Sequence, residues 1–331
     1  MELVCPAGNL PSLKAAVDAG ANAVYAGFGN ATNARHFTGL NFDRATLEQG
    51  IAYAHRRGCK LYLAINTYPQ HSGWKQWQAA LEGGAELGVD AFIIADGGVL
   101  EFATEHFPGI RRHLSVQASA TNVDALDFYV TEYGVERAVL PRVLTVRQVE
   151  RLLEQTPVEI EVFGFGSLCV MAEGRCYLSS YVTGESPNTC GVCSPAHAVQ
   201  WREDHGTVRT LLNTVLIDTQ APGERVGYPT LCKGRFSVNG QLGYALESPV
   251  SLNAIELLPR LFEAGVAAVK IEGRQRSPAY VKRVSRVWRR ALDACCANPD
   301  AYAVSDDWLT ELAQLSEGSE TTLGALHRPW Q

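Results

Sequence analysis

A repeated glycine-to-strand junction limits this chain more than any other feature. Four times an amphipathic helical stretch ends at a glycine and an apolar strand follows: Gly20 into ANAVYAG, Gly88 into VDAFIIAD, Gly134 into VERAVLPR and Gly265 into VAAVKIEG. Gly58 into CKLYLAINT is a looser fifth copy. Glycine takes the left-handed backbone that ends a helix, and an apolar run without polar alternation suits a strand covered on both faces. Adding ELVCP at 2–6, HLSVQA at 113–118 and VEIEVFGF at 158–165 brings the strands to eight. Helical stretches fit at about 10–19, 43–57, 74–87, 99–106, 122–133, 145–155, 252–264 and 278–297, with Asp43 placed to cap the second. Eight alternating units predict an α/β fold, a TIM-like (β/α)8 barrel. A doubly wound open sheet shares the alternation, because a sequence does not display closure.

The rhythm breaks at residues 166–250, a stretch rich in Gly, Pro, Ser and Cys with no long helical pattern. The predicted organisation is therefore seven strands in 1–165, a cysteine-rich insertion at 166–250, the last helix–strand–helix at 251–297 and a C-terminal tail at 298–331. An insertion between strands 7 and 8 leaves from the C-terminal face of the barrel, where active sites of such barrels form. With 331 residues, 46% hydrophobic and 19% charged, the chain has ample material for a large core. A net charge of −6 argues against a whole-surface nucleic-acid binder, though it leaves room for a local basic patch. MELVCPAGNLPSLKAA lacks the basic start and apolar run of a signal peptide, and no window reaches the roughly 18 to 20 apolar residues of a membrane helix. The expected location is cytoplasmic.

In a reducing compartment clustered cysteines point to metal or redox work rather than disulfides. Of nine cysteines, Cys169, Cys176, Cys190, Cys193 and Cys232 fall within 64 residues. Cys169, Cys176, Cys193 and Cys232 follow the spacing Cys-x6-Cys-x16-Cys-x38-Cys. Four thiolates suit either zinc or an iron–sulfur cluster. Cys190-Gly-Val-Cys193 could furnish one zinc-ribbon knuckle, whereas the wide, unequal spacing suits a cluster slightly better. The plain alternative is that free cysteines are small buried hydrophobes.

EVFGFGSLCVMAEGRCYLS, from Glu161 to Ser179, matches the pattern Glu-x-Phe-x-x-Gly-Ser-Leu-Cys-x4-Gly-x-Cys-x-Leu-Ser and so resembles the collagenase-like peptidase family. ELVCPAGN, TNARHFTGLNF, SVQASATN, VLPRVL, YLSSYVTGESPNTCG, YPTLCKGR and AVKIEGRQRSPAY extend the likeness along the chain and resemble the family's ubiquinone-biosynthesis branch. The resemblance implies a subunit of an oxygen-independent hydroxylase for ubiquinone precursors, working as a heterodimer with UbiV. It implies a 4Fe-4S cluster on Cys169, Cys176, Cys193 and Cys232, with Cys190 as the alternative to Cys193, and prephenate as hydroxyl donor. Members that hydroxylate RNA supply the alternative function, and a peptidase is a further one.

Polar groups at strand ends are the candidate substrate residues: Asn66, Asp96, Gln117, Arg142, Glu272, Arg274 and Arg276. A dicarboxylate such as prephenate calls for forked donors, which Arg142, Arg274 or Arg276 would supply. The competing expectation pairs these arginines with Asp96 or Glu272. Arg35 and His36 are weaker candidates. Lys282, Arg283, Arg286, Arg289 and Arg290 share one face of the last helix, either a contact stripe for RNA or a partner, or an ordinary solvated face. His-Glu-x-x-His and Gly-x-Ser-x-Gly are absent, so a peptidase dyad would have to combine Cys5 or Cys59 with a distant histidine. GFGNAT carries Thr32 where a dinucleotide loop needs glycine.

Overall fold

The computed structural model describes residues 1–328. Eight parallel strands form a closed ring: β1 Glu2–Pro6, β2 Ala23–Ala26, β3 Lys60–Ile65, β4 Ala91–Ile94, β5 Arg111–Leu114, β6 Arg137–Val139, β7 Glu159–Ser167 and, after an excursion, β14 Ala268–Ile271. β1 pairs with β2 on one side and with β14 on the other, and β14 returns to β7. The barrel is thus closed. The intervening helices are α1 Leu10–Asp18, α2 Arg44–His55, α3 Trp74–Leu87, α4 Gly97–His106, α5 Val123–Tyr133 and α6 Val146–Leu153. All five glycines of the junctions have positive φ, and Asp43 caps α2 by accepting from the Thr46 N–H at 2.8 Å.

Side chains alternate along each strand as a period of two requires. Leu3, Cys5, Leu61, Leu63, Phe92, Ile160, Val162 and Val269 face the helices in one large core. Val4, Ala23, Tyr25, Tyr62, Ala64, Ala91, Ile93 and Ala268 fill the barrel interior. The interior also holds charge. Arg137 meets Glu2 at 2.8 Å, Glu159 at 2.6 Å and Glu161 at 3.4 Å, and Lys270 meets Glu161 at 2.6 Å.

Between β7 and β14 lie the short helix α7 Leu178–Thr183, a three-stranded antiparallel sheet of β8 Val199–Asp204, β9 Thr207–Leu212 and β10 Val215–Gln220, and the hairpin of β11 Arg235–Val238 and β12 Gln241–Tyr244. Ala198, Leu212 and Ile217 give this region a small core of its own. The helix expected at 252–264 starts late. Residues of β13 Ser251–Asn253 instead pair antiparallel with the far end of β7, and α8 Leu258–Glu263 begins beside Pro259. α9 Pro278–Ala297 buries Val281, Val284, Trp288, Ala291 and Cys295. The tail adds α10 Asp306–Leu315, which packs on α9, and β15 Thr321–Thr322, which extends β13. Among the described residues no helix is long and apolar enough to cross a membrane.

Candidate metal centre and barrel-mouth cavity

A cavity opens at the C-terminal ends of the strands, lined by Tyr25, Arg35, Asn66, Gln117, Arg142, Lys270, Glu272 and Arg274 among others. Five of the strand-end candidates therefore converge. Asn66 is committed to architecture: its Oδ1 accepts from the Ala34 N–H at 2.9 Å and its Nδ2 donates to Ser115 Oγ at 2.9 Å. The expected strand 113–118 ends at Leu114, and Val116–Ala118 is a 3-10 turn that presents Gln117. The Ser115 hydroxyl stabilises that turn by accepting from the Gln117 N–H at 3.3 Å.

The three cavity arginines differ in how their charge is met. Arg142 is tied to the Glu173 carboxylate, with Nε donating at 2.8 Å, and its Nη1 donates to the Ser167 carbonyl at 2.7 Å. Burial works against the Arg142 charge, but Glu173, Cys169 and Glu272 more than offset it, so its pKa is raised. Arg35 stands 3.8 Å from the Glu272 carboxylate. Arg274 has no carboxylate partner within ion-pair distance: Nη1 donates to the neutral Asn33 amide at 3.0 Å, and the buried Nε has no hydrogen-bond partner. Burial pulls its pKa down to about 10, with Arg35 adding to the effect. Lys270 lies beneath, 4.0 Å over the Tyr25 ring and paired with Glu161.

Two candidates lie elsewhere. Asp96 is the N-cap of α4, its Oδ1 accepting from the Val99 N–H at 3.1 Å, so it serves the helix rather than the cavity. Arg276 turns outward, donates to the Leu315 carbonyl at 2.9 Å and stacks 4.3 Å from the Tyr280 ring. Neither lines the cavity. Lys270 and Tyr25 were missed, although parity along the strand puts Lys270 on the same inward face as Glu272. Cys5 and Cys59 are buried, with burial pushing both thiols up to about 12, so neither is the accessible thiolate a cysteine nucleophile requires.

The cysteine-bearing segment is clamped over this mouth. Gly174, at φ +76°, passes so close to the β5 turn that a Cβ there would lie 2.1 Å from the Gln117 carbonyl oxygen. Gly191, at φ +84°, meets the loop after β2 in the same way, with a Cβ 2.2 Å from the Asn33 carbonyl oxygen. Asn188 joins the two arms, donating to the Cys176 carbonyl at 3.2 Å and accepting from the Cys176 N–H at 3.3 Å.

Cys169, Cys176, Cys193 and Cys232 are half-buried and free. Burial pushes the Cys193 thiol up to about 11, against the Arg35 charge, and Cys169, Cys176 and Cys232 push in the same direction. Cys232 is raised by burial too, with Cys169 and Cys176 contributing. Cys190 meets the Thr189 hydroxyl at 3.8 Å, and Cys232 meets the Thr230 hydroxyl at the same distance. Among the described residues no three His, Cys, Asp or Glu side chains form a site ready for a single metal ion. Zinc, with Zn–S bonds of about 2.3 Å, would need its sulfurs within about 4 Å of one another. Four free thiols on the segment that covers the mouth have the donor chemistry of an anionic metal–sulfur group.

The sequence model of Peptidase family U32 matches residues 8–329. The chain belongs to that family. "tRNA hydroxylation protein P1" of Bacillus subtilis is 31% identical over 97% of this chain and 70% of its own length. "23S rRNA 5-hydroxycytidine C2501 synthase" of Escherichia coli is 31% identical over 89% of this chain and 39% of its own length. "Collagenase" of Porphyromonas gingivalis is 29% identical over 94% of this chain and 70% of its own length. The relatives of this chain thus include proteins named for RNA hydroxylation and proteins named for proteolysis.

Proposed function

We propose that this U32 chain is a UbiU-type subunit of an oxygen-independent hydroxylase for ubiquinone precursors, acting with UbiV in the cytoplasm. In this reading Cys169, Cys176, Cys193 and Cys232 hold a 4Fe-4S cluster. What supports this reading is that the cysteine-bearing segment docks, at Gly174 and Gly191, on loops beside a cavity in which buried Arg274 donates to a neutral amide. When bound, the cluster supplies electron transfer that side chains alone do not perform. The chain's own residues bind and orient. Arg274 receives a carboxylate, Arg35 adds positive field, and Tyr25 and Phe163 give the cavity apolar walls that limit water. A small dicarboxylate such as prephenate matches that charge pattern and is the proposed hydroxyl donor.

Hydroxylation of RNA is the second reading, favoured by relatives named for tRNA and 23S rRNA hydroxylation. The basic face of α9 supports it weakly. Arg283 is engaged with Glu311 at 2.9 Å and Arg289 with Asp293 at 2.7 Å, which leaves Lys282, Arg286 and Arg290 without ion pairs.

Iron, sulfide and zinc measured on protein purified without oxygen test the cluster. About four irons and four sulfides per chain are expected, and one zinc without sulfide would overturn it. Ubiquinone and RNA nucleosides from anaerobic cells lacking the chain test the substrate: loss of ubiquinone alone supports the first reading, loss of a hydroxylated nucleoside alone the second.

A further inference from the structure

We infer that Arg35 is the electrostatic link between the cysteine centre and the barrel cavity, and that it raises the reduction potential of the metal–sulfur group held there. The inference rests on the cluster reading above.

Arg35 sits on a loop with no freedom to wander. The Asn66 side chain holds the Ala34 N–H at 2.9 Å, the Asn33 side chain holds the Arg35 N–H at 3.0 Å, and Asn41 donates to the Arg35 carbonyl at 2.8 Å. On its inner side the guanidinium lines the cavity and lies 3.8 Å from Glu272, a loose pair. On its outer side the turn from Cys190 to Cys193 docks directly on Asn33 and Ala34, with the bare α-carbon of Gly191 allowing the contact. That docking seats the turn carrying Cys193 against the loop that carries Arg35.

A cluster on four thiolates is anionic, and each electron taken up adds negative charge. A nearby cation favours the reduced form, and the effect is large where water is scarce. Arg142 is less available for this, because Glu173 already neutralises it. Arg35, whose carboxylate partner stands at 3.8 Å, has more of its field free for the sulfurs. By reciprocity, a carboxylate that enters the cavity and takes up Arg35 lowers the potential, and reduction weakens the hold on that carboxylate.

The test is the midpoint potential of anaerobically purified wild type, Arg35→Gln and Arg35→Lys, each assayed for iron and sulfide. We expect Arg35→Gln to keep its iron and shift to a more negative potential, and Arg35→Lys to stay near wild type. An Arg35→Gln potential equal to wild type at full iron content overturns the inference and leaves the cluster reading standing. Loss of iron from both variants overturns it in favour of a purely architectural Arg35. Wild type without iron overturns the cluster reading and the inference together.

Discussion

The two ends of the barrel interior bury the same chemical group and treat it in opposite ways. At the N-terminal end Arg137 is surrounded by Glu2, Glu159 and Glu161. Burial works against its charge, but these carboxylates hold its pKa above the ordinary arginine value. At the C-terminal end Arg274 is equally buried, its partner is a neutral amide, and its pKa falls to about 10. A saturated guanidinium has nothing left to offer and serves as a charge clamp between strands. An unsaturated one is held at a cost that an incoming anion would relieve. The difference separates scaffold from site without reference to any relative.

The largest expected effect comes from breaking the saturated end. Arg137→Met leaves Glu159 and the buried Glu161 short of a cation, and should cost about 3–5 kcal/mol in urea unfolding. Cluster content of the folded fraction should be unchanged. Next is the unsaturated end. Arg274→Met removes a charge with no carboxylate to orphan, so stability should hold or rise by about 1 kcal/mol. Prephenate affinity, measured by calorimetry on anaerobic protein, should fall at least about tenfold. A stability loss as large as that of Arg137→Met would show that Arg274 is scaffold after all, and the comparison would collapse.

The barrel was legible in the sequence because its cause is local. Glycine stops and uninterrupted apolar strands need no distant information, and the five strands after glycine stops fall where those signals stand, whereas β5 Arg111–Leu114 is shifted from the expected 113–118. The strand at 251–253 was hidden because SLN pairs with the far end of β7 and with β15 of the tail, long-range contacts that no periodicity announces. The site was legible as residue types at strand ends but not as partners. Asp96 and Arg276 carry the same kind of signal as Glu272 and Arg274, and only the backbone's turn decides which of them faces the cavity. Glu173 lay in the quoted motif without a role, since its engagement with Arg142 joins residues 31 apart.

pH sharpens the comparison with a smaller effect. The folded pKa of Arg274, about 10, lies below the ordinary arginine value, so the native state loses this proton before the unfolded chain does. Between those values the unfolded state binds more protons, and Arg274 therefore favours folding progressively as pH rises through that window. Carboxylate binding has the opposite trend. It should stay level from about pH 6 to 9, where carboxylates are ionised and Arg274 is charged, and weaken above about 10. Calorimetric titrations across this range check it, and a midpoint near neutrality would assign the binding charge to another group.

The smallest effect tests whether position alone makes an arginine functional. Arg276 lies two residues beyond Arg274 on the same strand end, yet its guanidinium is spent on the Leu315 carbonyl and the Tyr280 ring. Arg276→Gln should therefore cost about 1 kcal/mol through the lost hydrogen bond and leave prephenate affinity at the wild-type value. Should its affinity drop as far as that of Arg274→Met, anion binding would report the general positive field of the barrel mouth. The unmet Nε of Arg274 would then carry no special meaning.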